Sequence, residues 1–120
     1  MRILIVDDSK AMRMIVIRTL RQAGFADHDF AEAVDGVTAL ASIAAEQPDL
    51  VLCDWNMPEM NGIELLRTLR AGGNQVRFGF VTSESTPAMR NTADENGAMF
   101  LIAKPFTAET FSTALTGVLV

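Results

Sequence analysis

The segment Leu50-Val51-Leu52-Cys53-Asp54 is a short apolar run that ends on a carboxylate. Two other segments have the same form, since Ile3-Leu4-Ile5-Val6 precedes Asp7-Asp8 and Phe100-Leu101-Ile102-Ala103 precedes Lys104. Apolar runs of this length, separated by helix-like stretches, are typical of buried strands in a parallel sheet. The sequence therefore predicts an α/β fold in which three strands end on charged residues.

Strand-like and helix-like segments alternate five times along the chain. The strands are predicted at residues 2–6, 29–33, 50–53, 76–81 and 99–103. The helix-like segments begin at capping or turn residues, namely Ser9, Asp35-Gly36, Asn61, Thr86-Pro87 and Thr107. Five such units predict a parallel sheet with helices on both faces and right-handed crossovers, in one domain over residues 1–120.

Composition narrows the classes of protein to which the chain can belong. Ten basic and fifteen acidic residues leave a formal charge of −5, which argues against nucleic acid or an anionic membrane as the primary partner. Uninterrupted apolar runs stay below membrane-spanning length, and Met1 leads directly into strand-like sequence, so we expect neither a membrane span nor a signal peptide. The single cysteine, Cys53, cannot form an internal disulfide and suits a reducing cytoplasm.

The charged residues that follow the strands are expected to share one pocket. In an open α/β sheet the carboxyl ends of the strands meet at one edge, where ligands bind. Asp7, Asp8, Asp54 and Lys104 should therefore converge there. Clustered carboxylates repel each other and attract a cation, and a hard oxygen site beside a lysine suits Mg²⁺ together with a phosphoryl group.

The order Asp7-Asp8, Asp54, Thr82 and Lys104-Pro105 resembles the receiver domain of two-component response regulators, over essentially the whole chain. Its densest part, Asp54-Trp55-Asn56-Met57-Pro58-Glu59-Met60-Asn61-Gly62, is most similar to the single-domain chemotaxis regulators that address a flagellar motor. The resemblance implies a flavodoxin-like doubly wound (βα)5 fold with strand order 2-1-3-4-5.

The resemblance implies that Asp54 is a phosphoacceptor whose carboxylate forms an acyl phosphate. It implies that Asp8 and Asp54 hold Mg²⁺ directly, Asp7 through water, and Asn56 through its backbone carbonyl. Asn56 and Glu84 follow Asp54 and Thr82 by two places, and in such regulators these positions tune the lifetime of the phosphoryl group.

The remaining expectations from the resemblance concern the switch. Lys104 would place a positive charge at a phosphoryl oxygen, before a cis bond to Pro105, and the hydroxyl of Thr82 would follow the phosphoryl group inward. Many relatives carry an aromatic residue three places before the lysine, where this chain has Leu101. Phe100 lies one place earlier and so on the opposite face of its strand, which argues against aromatic switching.

The resemblance predicts a cytoplasmic signalling switch rather than an enzyme, apart from its own phosphorylation and autodephosphorylation. A histidine kinase or histidine phosphotransfer domain would supply the phosphoryl group, and a phosphatase is a possible further partner. Because no output domain is expected, the surface of helix 4, strand 5 and helix 5 would bind another protein, with the flagellar motor switch as a candidate.

Two alternatives remain open at this point. A phosphohydrolase of the haloacid-dehalogenase type also uses an aspartate nucleophile, Mg²⁺ and a lysine. Enzymes of that type carry an Asp-x-Asp motif on the first strand, in which the second aspartate is a general acid and base. In this chain Asn56 stands two places after Asp54, and an amide cannot relay that proton. The other alternative is a degenerate receiver that acts only as a binding module, against which the complete set of acids argues.

The first helix-like segment carries two sets of apolar residues. Met14 and Ile17 share a face, are expected to be exposed, and could dock a histidine phosphotransfer helix. Gly24 is expected to end this helix. The predicted core stripe consists of Met12, Ile15, Val16, Thr19, Leu20 and Ala23.

Overall fold

Five parallel strands form the centre of the fold in the computed structural model, which describes residues 1–118. Their order in the sheet is β2-β1-β3-β4-β5, so the doubly wound arrangement is confirmed. The fourth and fifth strands each begin one residue later than predicted, and the fourth ends one residue later. The strands are β1 (Arg2–Val6), β2 (Asp29–Ala33), β3 (Leu50–Cys53), β4 (Arg77–Thr82) and β5 (Phe100–Ala103).

A helix follows each strand, and all five predicted starting points are confirmed. In every case the side chain of the capping residue accepts a hydrogen bond from the backbone N–H three residues later. In the described part of the chain, no helix is long and apolar enough to cross a membrane. The helices are α1 (Lys10–Leu20), α2 (Gly36–Ala45), α3 (Gly62–Ala71), α4 (Pro87–Glu95) and α5 (Ala108–Leu115).

The sheet separates two layers of core, because successive side chains of a strand point to opposite faces. One layer, with side chains of α2, α3 and α4, buries alternate strand residues such as Val6, Val51 and Leu101. The other layer, with side chains of α1 and α5, buries Ile5 and Leu52 among others. Phe100 packs against this second layer and Leu101 belongs to the first, as the one-residue offset predicted.

Helix α1 is rotated slightly from its predicted orientation. Val16, Thr19 and Leu20 are buried as expected, but Ile15 is 44% exposed, so its place in the predicted stripe is wrong. Arg13 is buried at one margin of the core-facing side of α1, and Ile15 lies at the other margin. The helix is turned towards Arg13, so the side chain of Ile15 is left in solvent.

The second predicted face of α1 is also revised. Met14 is 51% exposed, as predicted, whereas Ile17 is partly buried and packs against the core. The helix continues as a π-helical turn over Arg21–Phe25, in which Gly24 has φ +103°. A residue with this backbone conformation ends a helix, and glycine adopts it without steric cost, as the sequence predicted.

Candidate functional site

The charged residues converge because hydrogen bonding continues one residue beyond the strands. The N–H of Asp54 donates to the carbonyl of Val6 at 2.9 Å, and the N–H of Lys104 donates to the carbonyl of Thr82 at 2.9 Å. The N–H of Asp7 is bonded in the same way to the end of β2, at 3.1 Å. All three residues therefore lie at the carboxyl edge of the sheet, next to one another.

Three carboxylates and one ammonium group meet at this edge. Asp7, Asp8 and Asp54 each place a carboxylate oxygen within 4.8 Å of the others. The Nζ atom of Lys104 lies 3.2 Å from Oδ2 of Asp7 and 3.6 Å from Oδ2 of Asp54. Asp7 is buried at 4% exposure, Asp54 and Lys104 are largely covered, and Asp8 is exposed to solvent.

Burial and neighbouring charges act on Asp54 in opposite directions. The pKa of its carboxyl group is raised above 3.8, first because burial disfavours the charged form. Lys104 opposes this rise, Asp7 and Asp8 add to it, and a hydrogen bond from the N–H of Trp55 to Oδ1, at 2.8 Å, lowers the pKa. The carboxylate therefore carries an incompletely compensated charge, which a bound cation would stabilise.

The donor atoms fit Mg²⁺, which prefers oxygen ligands and retains several waters. Both carboxylate oxygens of Asp7 already accept hydrogen bonds, Oδ1 from the N–H of Ser9 at 2.9 Å and Oδ2 from Lys104 at 3.2 Å. The carboxylate of Asp8 is exposed to solvent, whereas Asp54, like Asp7, has a partner at each oxygen, the N–H of Trp55 at Oδ1 and Lys104, 3.6 Å away, at Oδ2. The direct role of Asp54 and the indirect role of Asp7 stay predictions.

Asn56, Thr82 and Glu84 lie at or just beyond the ends of β3 and β4, at the same edge of the sheet. The amide of Asn56 donates from Nδ2 to Oε1 of Glu84 at 3.0 Å, which joins the two loops that follow β3 and β4. The hydroxyl oxygen of Thr82 accepts a hydrogen bond from the N–H of Glu84 at 3.3 Å, and Thr82 is fully buried. The metal-binding role of the Asn56 carbonyl and the switching role of Thr82 stay predictions.

Comparison with known proteins identifies the family. A family model described as the response regulator receiver domain matches residues 3–116. The chain belongs to this family. Its members are signalling domains rather than classical enzymes, and they generally bind Mg²⁺ at an acidic pocket.

Individual relatives cover nearly the whole receiver domain. Chemotaxis protein CheY-3 of Vibrio cholerae serotype O1 is 41% identical over 117 residues, covering 96% of this chain and 88% of that protein. Chemotaxis protein CheY of Pseudomonas aeruginosa is 41% identical over 111 residues, covering 91% of this chain and 88% of that protein. The structure of chemotaxis response regulator CheY4 of Vibrio cholerae superposes with a TM-score of 0.84 at 32% identity, covering 98% of both chains.

The loop after the central aspartate of this receiver is held by close packing. The ring of Trp55 is half-buried and lies 4.8 Å, between centroids, from that of Phe80. The N–H of Gly62 donates to the carbonyl of Trp55 at 2.8 Å, and a Cβ atom at Gly62 would collide with the carbonyl of Asp54. These contacts place Trp55 beside the acid cluster, where its fluorescence can report on the site.

Cys53 lies on the other side of its strand, as predicted for a small buried hydrophobe. Its thiol is fully buried and donates to the carbonyl of Asp54 at 3.0 Å. Burial raises the pKa of the Cys53 thiol well above 9.0, and the nearby carboxylates of Asp54 and Asp7 raise it further. The thiol is therefore neutral and poorly reactive at physiological pH.

Clefts also lie on the surface of this receiver, away from the acid cluster. One, of about 600 Å³, lies between α4, β5 and α5 and is lined by Arg90, Leu101 and Thr113 among others. Another, of about 290 Å³, lies along α1 and is lined by Met14, Ile17, Arg18 and Arg21.

Arg13 is a residue of the site that sequence reasoning missed. Its guanidinium donates to the backbone carbonyl of Asp7 at 2.7 Å and to Glu32 of β2 at 2.9 Å. An arginine within the apolar pattern of α1, five residues after Asp8, was the one available signal.

Proposed function

We propose that this receiver, acting as one unit over residues 1–120, is a phosphorylation-operated signalling switch with Asp54 as the phosphoacceptor. The observation that carries the proposal is a largely covered carboxylate that lies 3.6 Å from the ammonium group of Lys104 and beside two further carboxylates. Because the similar proteins CheY-3 and CheY are chemotaxis proteins, we expect the switch to act in chemotaxis. The chain would promote only its own phosphorylation and dephosphorylation.

The phosphoryl group would come from a phosphohistidine of a histidine kinase or a histidine phosphotransfer domain. A carboxylate oxygen of Asp54 attacks phosphorus, a P–O bond forms, and the P–N bond to the imidazole breaks. The bonding electron pair stays on the imidazole nitrogen, which takes a proton from solvent. Asp54 donates no proton, so the step needs an ionised Asp54 and no general base.

The surrounding residues orient and stabilise the transferring group. Lys104 offers its ammonium group to a phosphoryl oxygen, which would otherwise meet an acidic surface. Asp8 and Asp54 would hold Mg²⁺ directly, with Asp7 through water and Asn56 through its carbonyl. Bound there, Mg²⁺ would offset negative charge on the acids and on the phosphoryl oxygens.

The output of the switch would be a change in the surface formed by α4, β5 and α5. Thr82 is paired with Ala103 across β4 and β5, so an inward movement of its hydroxyl towards the phosphoryl group reaches β5 directly. Position 101 carries a buried leucine, so no aromatic ring is available to turn inward at that place. The phosphoryl group would thus shift a pre-existing equilibrium rather than create a new surface.

The cleft of this surface suits a partner protein, for which the flagellar motor switch is a candidate. Thr113 lies on the cleft and is exposed, so Thr113→Arg should obstruct it without disturbing the core. Capture of the motor switch protein by the phosphorylated receiver should fall in this variant and persist in Thr68→Arg, a matched change at an exposed threonine of α3. Equal capture by both variants would remove the cleft from the interface.

The phosphodonor would dock on α1, near the carboxyl edge of the sheet. Exposed Met14 and Ile15 lie beside Arg18 and Arg21, and no acidic residue occurs between Ser9 and Ala26. Such a face suits an apolar helix with acidic margins.

Paired substitutions on α1 test this docking site. Met14→Glu with Ile15→Glu should slow transfer from the kinase but preserve phosphorylation by acetyl phosphate. Val37→Glu, at a residue of α2 that is 54% exposed on the other side of the sheet, is the control. Unchanged transfer in the double variant would exclude α1 as the docking site. A phosphatase that shortens the signal is a further partner we expect.

Fluorescence of Trp55 tests the central claim. The chain has one tryptophan and no tyrosine, so emission reports almost entirely on this position. Emission should change on addition of Mg²⁺, change again with acetyl phosphate, and return as the acyl phosphate hydrolyses. Asp54→Asn should abolish the second change and should block labelling by radioactive acetyl phosphate.

The same experiment separates the alternatives. Continued turnover of phosphate esters by Asp54→Asn would favour a phosphohydrolase with another nucleophile, and absence of phosphorylation in the wild type would indicate a binding module. We expect the protein to act in the cytoplasm, in keeping with its single free thiol, Cys53.

A further inference from the structure

Arg13 is a buried charged residue on a helix face that otherwise packs into the apolar core. It is 8% exposed, although arginine is rarely buried without partners. Its Nη1 atom donates to the backbone carbonyl of Asp7 at 2.7 Å, and its Nε atom donates to Oε1 of Glu32 at 2.9 Å. One guanidinium therefore joins α1 to the ends of β1 and β2, beside the acid cluster.

The contacts of Asp7 explain why this position matters. Its N–H is bonded to β2 at 3.1 Å, its Oδ1 accepts from Ser9 at 2.9 Å, and its Oδ2 accepts from Lys104 at 3.2 Å. Arg13 supplies the partner of the remaining polar group, the backbone carbonyl. The backbone and side chain of Asp7 are then held from four directions.

The carbonyl of Asp7 also controls the direction of the next residue. The carbonyl oxygen of one residue and the nitrogen of the following residue lie in one planar peptide unit. A bond that fixes the Asp7 carbonyl therefore fixes the plane from which Asp8 departs. Asp8 is exposed and lies within 4.8 Å of the other two carboxylates, so its orientation depends on this backbone plane.

The planar guanidinium is suited to this task in a way that lysine is not. Its nitrogen atoms point in fixed directions and can bond two acceptors at once, whereas an ammonium group is a single point of charge on a flexible chain. Glu32, whose side chain is 45% exposed, holds the second edge of the guanidinium and keeps the first edge aimed at Asp7.

We propose that Arg13 is a positioning residue that holds the Asp7-Asp8 peptide so that the carboxylates stay arranged for Mg²⁺. The inference rests on the proposed function of the acid cluster. It assigns to Arg13 no contact with the metal or with the phosphoryl group. Loss of the guanidinium should loosen the peptide and weaken metal binding, even where the fold survives.

Arg13→Lys provides the test, with Arg70→Lys as its matched control. Arg70 also uses its guanidinium to bond backbone carbonyls, those of Asn74, Val76 and Gly97, but at the amino edge of the sheet. Both variants replace a guanidinium that bonds backbone carbonyls with an ammonium group, at a buried position for Arg13 and a half-buried position for Arg70. Mg²⁺ binding by calorimetry should weaken by about 10-fold in Arg13→Lys and stay within about 2-fold in Arg70→Lys.

A second readout needs no metal. The N–H of Ser9 is bonded to Oδ1 of Asp7, so its hydrogen exchange reports how firmly Asp7 is held. Exchange at Ser9 should accelerate in Arg13→Lys and not in Arg70→Lys. Glu32→Gln, which keeps the accepting oxygen, should leave exchange almost unchanged, whereas Glu32→Ala should accelerate it.

The outcomes separate this inference from the proposed function. Unchanged Ser9 exchange and Mg²⁺ affinity in folded Arg13→Lys would overturn the positioning role, and so would equal losses in the Arg13 and Arg70 variants. If Arg13→Lys does not fold, Glu32→Ala decides by the same two measurements. Phosphorylation of Asp54→Asn would refute the phosphoacceptor without altering the Ser9 result in metal-free protein.

Discussion

Replacement of Asp54 by asparagine is expected to stabilise the metal-free protein near neutral pH. The carboxylate of Asp54 lies within 4.8 Å of those of Asp7 and Asp8, and 3.6 Å from Nζ of Lys104. Asparagine retains an oxygen that can accept the N–H of Trp55, and it removes the charge. A gain in stability follows if repulsion and burial outweigh the attraction of Lys104.

The distances give the size of the effect. At an effective dielectric constant of about 20, two unit charges at 4.8 Å, the upper limit of the separations in the cluster, interact by about 3.5 kcal/mol. Two such repulsions exceed the attraction to Lys104, about 4.6 kcal/mol at 3.6 Å, by about 2 kcal/mol. Solvent screens exposed Asp8, so we expect a gain of about 1–2 kcal/mol in the free energy of unfolding, or several degrees in Tm.

The gain should depend on pH in a defined direction. The folded-state pKa of Asp54 is raised above 3.8, chiefly by burial. A raised folded-state pKa means that ionised Asp54 lowers stability above that pKa, and that this cost disappears below 3.8, where the carboxyl group is protonated in both states. The advantage of Asp54→Asn should therefore be complete at about pH 7 and absent at about pH 3.

Urea unfolding in EDTA, at neutral and acidic pH, measures the difference. Asp94→Asn, the same change at an exposed acid of α4, should alter stability by no more than about 0.5 kcal/mol. Added Mg²⁺ should stabilise the wild type by about 2.7 kcal/mol at 100 times Kd, and should stabilise Asp54→Asn less. If Asp54→Asn is less stable than the wild type in EDTA at neutral pH, the cluster is not under net repulsion and the reasoning is wrong.

Experiments at three other positions, Thr82, Gly62 and Cys53, have defined expected results. Thr82→Val retains the shape of a fully buried side chain but removes its hydroxyl, so phosphorylation by acetyl phosphate should persist while phosphorylation-dependent capture of a partner falls; unimpaired capture would contradict the switching role. Gly62→Ala should lower stability by about 1–3 kcal/mol, because the new Cβ collides with the carbonyl of Asp54, and an unchanged Tm would refute that packing argument. The thiol of Cys53, buried and with a raised pKa, should react with a disulfide reagent slowly in the native protein and rapidly in urea; fast native labelling would show that the strand end opens.

The sequence alone determined the secondary-structure elements and the four charged residues that meet at the carboxyl edge of the sheet. Apolar runs and capping residues are local signals, so Asn61 and Thr107 marked helix starts that the structure confirms. The rule that parallel strands end at one edge brought Asp7, Asp54 and Lys104 together before any distance was known. The strand order followed from the resemblance to receivers, because the local pattern of strands does not state which of them are neighbours.

Tertiary structure alone decided how α1 is rotated and what holds the acid cluster. Ile15 and Arg13 both lie at margins of the same helix face, and helical periodicity does not choose between margins. The choice depends on Glu32 and on the Asp7 carbonyl, which lie on or just beyond neighbouring strands and accept hydrogen bonds. A buried guanidinium can donate to both of them, whereas an isoleucine side chain has no donor. Such partners are far apart in sequence, and only the packed sheet brings them within hydrogen-bonding distance.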